Sequence, residues 1–290
     1  MRGMKLWLLL SLGAALSWTQ PLDEYRVEKV ATGYRFTEGP AWSREGYMVF
    51  SDLPSQRIYK WTPGSAPEIL RESSGRGNGN AFDSAGRLYT CEAGARRVVR
   101  ADKQGHLEVL ADNFEGKKLN SPNDLVLRHD SQVFFTDPAF GSSADARELD
   151  FYGVYRIAGR NKLEAIARWK TRPNGIALSQ DQKTLYVANS DNRTISAWDL
   201  DRGGAASNER VVVRAIDGAP DGIKVDNKGN LWVACRTVSV YSPQGARIRS
   251  FEVGETPANL AFDAGFVNLY VTARTTIYRI VLFTKGAAAH

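Results

Sequence analysis

Five phrases in this 290-residue sequence set a side-chain oxygen before an apolar run: EGPAW, NGNAF, NDLVL, NGIAL and DGIKV. Their first residues are Glu38, Asn78, Asn123, Asn174 and Asp221, and a sixth phrase, ANLAF, has Ala258 in that place. Asn, Asp and Gly before a strand are ordinary turn formers, and each of these positions taken singly reads that way. Glu is not a turn former, so Glu38 breaks the pattern, and the set together reads as a column of ligands. Two carboxylates and two or three amide oxygens at one spot, with a formal charge of about −2, suit one hard divalent cation. Ca²⁺ is the first choice, then Mg²⁺ or Mn²⁺, with Zn²⁺ also considered. Without a cation, two ionised carboxylates that close would raise the pKa of one of them.

A second series, Asp52, Glu92, Asp137, Asn189, Cys235 and Ala273, closes the strand that follows each phrase. Acidic residues are poor sheet formers, so some of these are expected to line the same pocket, with a turn or capping role as the other reading. Asp137, in FTDPAFG, is the strongest of them, because the following Pro pins the backbone.

These residues need elements to carry them, and the chain supplies a repeat. YMVFSD, RLYTCE, QVFFTD, TLYVAN, NLWVAC and NLYVTA are β-branched or aromatic strands whose second residues fall at 48, 88, 133, 185, 231 and 269. Each follows an apolar partner across a turn rich in Asp, Asn, Gly and Ser, which is a hairpin signal. A third strand follows, such as RIYKW or TISAWDL, and in several units a fourth. Units of about 40 to 50 residues, each a small antiparallel meander, predict an all-β, six-bladed β-propeller with four-stranded blades around a central channel. EYRVEKVA, near the N-terminus, would complete the last blade and close the ring. In such a ring, equivalent positions point at one place on the axis, which is how the column would converge.

Residues 1–19 read as a cleaved secretory signal, with Arg2 and Lys5 before an apolar stretch from Leu6 to Leu16 and small residues at Ala14, Ala15 and Ser17. That leaves 20–290 as a single propeller domain, exported to a periplasmic or extracellular space. No later segment is apolar for long enough to span a bilayer. The net charge of +6 is spread without a basic stripe, which argues against a nucleic-acid partner. Cys91 and Cys235 belong to no CxxC pair, so a structural zinc site is not indicated. The three His, at 106, 129 and 290, lie in hairpin turns or at the end, and GxSxG is absent, which disfavours a Ser–His hydrolase.

TEGPAW, SPNDLVL, FTDPAFG, RPNGIALS, LYVANS and PDGIKVDNKGNLWVA resemble the senescence-marker-protein-30/gluconolactonase/luciferin-regenerating-enzyme family, from about residue 30 to 280. The resemblance implies a six-bladed propeller with a divalent cation in its channel, held by Glu38, Asn123, Asn174 and Asp221, with Asp221 taking part in catalysis. Sugar-lactonase members often carry an Arg two residues before the second ligand, where this sequence has Ser121. GNGNAFD and RLYTCEAGARRV resemble the bacterial gluconolactonase branch instead.

The expected activity is therefore opening of a lactone, most readily of glucono type, in a monomer or weak dimer acting on a small molecule. Asp221 is the expected base, with Asp137 or Glu92 as lesser candidates for proton transfer. Asn78, Glu92, Ser121 and Asn189 are expected to meet the substrate. Phosphotriester hydrolysis and a non-catalytic binding propeller are the competing classes; the second has no need of carboxylates on its axis. Asp226, in VDNKGNLW, reads as a surface residue.

Overall fold

The computed structural model describes residues 25–159 and 162–282. The expected export signal lies outside them. No helix among the described residues is long and apolar enough to cross a membrane.

Six four-stranded antiparallel sheets follow one another along the chain as the blades of a propeller. Their inner strands are Thr37–Trp42, Gly77–Phe82, Leu125–Leu127, Pro173–Leu178, Ile223–Val225 and Asn259–Phe262, for blades 1 to 6. Helix among the described residues is limited to one 3₁₀ turn, Gly141–Ala144. The expected closure is found: Tyr25–Thr32 pairs antiparallel with Thr276–Leu282 as the outer strand of blade 6. That pairing covers the edge of the Thr276–Leu282 strand, and an ion pair between Glu28 and Arg279 adds to it.

Several of the hairpins form where the sequence carries an acid and a glycine three residues on. Asp83 accepts the backbone N–H groups of Ala85 and Arg87, and Gly86 takes the left-handed conformation the turn requires. Asp226 does the same for Lys228 and Asn230, and its other oxygen accepts the Trp232 indole N–H at 2.9 Å. It is buried, so the surface reading of Asp226 is corrected: it is the keystone of its hairpin.

Apolar side chains fill the wedge between neighbouring blades. Phe134 and Val154 of blade 3 meet Ile176, Leu185 and Trp198 of blade 4, all buried. Tyr89 and Val98 of blade 2 meet Phe135 and Tyr155 of blade 3 in the same way. Burying a side chain of this size stabilises by about 1.5–3 kcal/mol, which holds the blades rigidly enough to fix what their inner edges present. Cys91 and Cys235 are free and buried.

Candidate metal and substrate site

Each oxygen-bearing residue of the first column stands where its inner strand enters the sheet, at a break in regular pairing. In blades 1, 2 and 4 the register shifts between Glu38 and Ala41, Gly77 and Asn80, and Pro173 and Ile176. In blades 3 and 5, pairing begins at Leu125 and Ile223, two residues past Asn123 and Asp221. Such irregularities re-aim side chains out of the pleat.

The backbone at these points is fixed by the preceding blade. Ser51 Oγ donates to the Asn78 carbonyl at 2.8 Å, Gly79 N to that of Asn123 at 2.7 Å and Thr136 Oγ1 to that of Asn174 at 2.7 Å. Gly175 N donates to the Asp221 carbonyl at 3.0 Å. The glycine after the ligand is required by this approach. A Cβ at Gly39 would lie 2.0 Å from the Asn78 carbonyl oxygen, and one at Gly175 would lie 2.3 Å from that of Asp221.

The result is a cavity of about 290 Å³ lined by Glu38, Asn78, Asn123 and Asn174, all buried, and by the half-buried Asp221. Ser121 also lines it, while Phe36, Phe140, Ser143 and Arg76 form its more open part. The cavity is lopsided. Blades 4 and 5 contribute only Asn174 and Asp221, and blade 6 contributes nothing.

Burial is the main force that pushes the Glu38 carboxyl up, to about 7, against the N–H that Gly39 donates to it at 2.9 Å. Burial likewise raises Asp221 well above the carboxylate range, and the charge of Glu38 adds to it. A third acid, Asp124, raises both. Asp124 is buried beside Asn123, accepts the Leu125 N–H, and has the Lys224 ammonium 3.8 Å away. It was missed in the sequence, although a signal exists: the residue after the column position is Gly in blades 1, 2, 4 and 5, and Asp only here.

Two amide oxygens of the cavity, Asn78 Oδ1 and Asn174 Oδ1, are buried with no hydrogen-bond partner. Asn174 Nδ2 is tied to Ser190 Oγ at 3.1 Å, and that hydroxyl donates to the Pro220 carbonyl at 2.8 Å, which turns Oδ1 away from both. Buried polar atoms are normally paired. The unpartnered oxygen of Asn174 beside two carboxylates disfavoured as anions makes a donor set short of a cation, so the residues fit a hard divalent ion. No cluster of three or more His, Cys, Asp or Glu side chains that could hold a metal ion occurs among the described residues; the donors here are mixed.

The second column is placed elsewhere. Asp137 does not line the cavity: its two carboxylate oxygens accept the N–H groups of Asn120 and Ser121, at 2.8 and 2.7 Å. Burial raises its pKa to about 7, against these two bonds. Glu92 sits between Arg71 and Arg97, at 2.5 and 2.6 Å. Asn189 donates to Thr171 Oγ1 and accepts the Asn192 N–H. All three fall outside the lining, so their expected place in the pocket is corrected. The strand that carries them is the second from the axis, and the loop entering the inner strand intervenes.

A six-bladed propeller that aims carboxylates and amides into one axial cavity defines the class of protein. The chain belongs to the SMP-30/gluconolactonase/LRE-like family, whose model matches residues 36–275. A gluconolactonase of Zymomonas mobilis is 30% identical to it, over 90% of this chain and 82% of its own. The solved structure of a gluconolactonase from Xanthomonas campestris superposes with a TM-score of 0.84 at 33% identity, covering 90% of this chain and 91% of that one. A pentonolactonase of Haloferax volcanii is 25% identical over 84% of this chain and 83% of its own.

Proposed function

We propose that the protein is a metal-dependent hydrolase that opens a lactone ring, with glucono-type sugar lactones as its best substrates. The observation that carries this reading is the convergence of Glu38, Asp221 and the unpartnered Asn174 amide oxygen in one cavity, in a chain whose relatives include proteins named gluconolactonase and pentonolactonase.

Glu38, Asn123, Asn174 and Asp221 would hold the cation, Ca²⁺ first among the candidates. Bound there, it supplies Lewis-acid stabilisation of negative charge growing on the lactone carbonyl oxygen. Asp221 takes a proton from the water that attacks the carbonyl carbon. The ring C–O bond then breaks, and the proton passes to the departing ring oxygen, leaving a hydroxy acid. Asp221 is the carboxylate that lines the cavity beside Asn174, which suits it to this step. Asn78 and Ser121 offer hydrogen bonds to substrate hydroxyls, and Phe36 and Phe140 give the ring an apolar wall. Asp137 acts one step back, by holding the backbone on which Ser121 stands.

Export by the first nineteen residues, and action as a monomer or weak dimer, belong to the same proposal. Mass spectrometry of the native protein would then find an N-terminus between Ala15 and Pro21, and an intact Met1 would contradict it. The activity is tested with a panel of aldono-lactones, simple γ- and δ-lactones, aryl esters and a fluorophosphate. The highest kcat/KM is expected on an aldono-lactone. Turnover of the fluorophosphate alone would move the assignment to phosphotriesters, and turnover of nothing would make the protein a binding propeller.

A further inference from the structure

We infer that Arg76 is a specificity-determining residue, whose guanidinium receives vicinal hydroxyls of the substrate's sugar ring. This rests on the lactone reading above and extends it to a part of the cavity that the ligand column does not reach.

Arg76 lines the cavity with Glu38 and Asp221, and no other charged side chain does. Those two are spoken for by the cation the site fits, so Arg76 is the charge of the lining left over for substrate. Four other arginines near it are engaged: Arg71 and Arg97 hold Glu92, Arg96 holds Glu148 and Arg172 holds Asp191. Arg76 has no carboxylate partner among the described residues. Arg172 stands two residues before its column residue, as Arg76 does before Asn78, yet it is turned onto Asp191 and lies over the Phe140 ring at 4.6 Å.

The local backbone holds Arg76 in this attitude. It adopts φ +55°, between Gly75 and Gly77, in a region that L side chains rarely occupy. Its carbonyl accepts the Ala93 N–H at 3.2 Å, and Gly75 accepts those of Gly94 and Ala95 at 2.9 and 3.1 Å. The side chain then runs across Gly94. A Cβ there would lie 2.8 Å from Arg76 Cδ and 2.9 Å from Cγ, so any other residue at 94 would displace the stem. A guanidinium is a planar fork that donates to two neighbouring oxygens at once, which matches vicinal hydroxyls on a sugar lactone ring. Ser121, two residues before Asn123, is too short and uncharged for that task, so the cationic contact comes from blade 2.

The test compares wild type, Arg76→Ala and Arg76→Lys on glucono-δ-lactone and on δ-valerolactone, which has the same ring without hydroxyls. For Arg76→Ala the loss of kcat/KM on the sugar lactone should exceed that on the plain lactone by about tenfold or more, chiefly through KM. Arg76→Lys should recover only part of it, because an ammonium is not a fork. Equal losses on both lactones, or none, would overturn the inference. Titration of sodium gluconate by calorimetry gives a second readout that needs no turnover, with binding expected to weaken by about tenfold in Arg76→Ala. If wild type opened neither lactone, the functional reading would fail on that arm. The gluconate titration would still decide on Arg76: weaker binding in the variant supports the inference, and equal binding overturns it.

Discussion

At the entry of the inner strands, Glu38, Asn78, Asn123, Asn174 and Asp221 line a common cavity. At the end of the neighbouring strands, Asp52, Asp137 and Asn189 serve the loops that lead into those inner strands instead. Asp52 accepts the N–H groups of Arg35 and Phe36, and Asp137 those of Asn120 and Ser121. These are the same two positions before Glu38 and before Asn123. Asn189 reaches Thr171, three residues before Asn174. The two columns share a symmetry axis and much of their chemistry, yet one strand spacing, about 4.8 Å, separates them. An inner-strand side chain at the entry faces only the other blades across the channel. A side chain one strand out meets the incoming loop, whose backbone donors claim its oxygens. The inner column thus decides what is presented, and the outer column decides where it is held.

Breaking the inner column should cost most. Asp221→Asn keeps volume and one ligand oxygen but removes the candidate base, so kcat should fall on the order of 10²-fold or more. Steady-state kinetics with metal analysis checks this, and wild-type turnover with metal bound would show that the base is another group. Breaking the outer column should act on stability instead. Asp137→Ala leaves two buried N–H donors unpaired, at a cost of about 1–3 kcal/mol each. Urea unfolding would register it, and kcat should fall less than in Asp221→Asn.

The cation-free protein offers a third test, through pH. Burial raises the pKa of Glu38, Asp221 and Asp137, so the folded chain keeps protons that the unfolded chain releases between about pH 4 and 7. Stability is therefore fully present below the unfolded pKa values and declines as pH rises through that window. Each proton contributes a slope of about 1.4 kcal/mol per pH unit at most. Thermal melts in chelator should show Tm falling from mildly acid to neutral pH, and a divalent cation should restore it at about pH 8. A Tm rising over that range would contradict the burial of these acids. The smallest effect is expected of Asn189→Ala, about 1 kcal/mol from lost loop bonds, with kcat unchanged within about twofold.

The propeller was legible because its signal repeats. Six hairpins, each with its own polar turn, leave little freedom in counting blades, and the closing strand followed from the need to pair an edge. The inner column was legible for the same reason. The outer column was misplaced, since strand alternation says that a side chain faces one of two sides but not what lies there. Asp226 was misread because a turn residue looks exposed until its partner, Trp232, is known to fold back over it. Asp124 lay hidden beside Asn123, and Arg76 could not be told from the paired arginines around it, because pairing is a property of the folded chain.

On this reading the inner column holds a divalent cation that the hydrolysis requires. It is tested most directly by following glucono-δ-lactone hydrolysis by the protein stripped with EDTA, before and after Ca²⁺ is returned. Turnover should vanish on stripping and come back when about one equivalent of cation is bound per chain. Full activity in the stripped protein would contradict it.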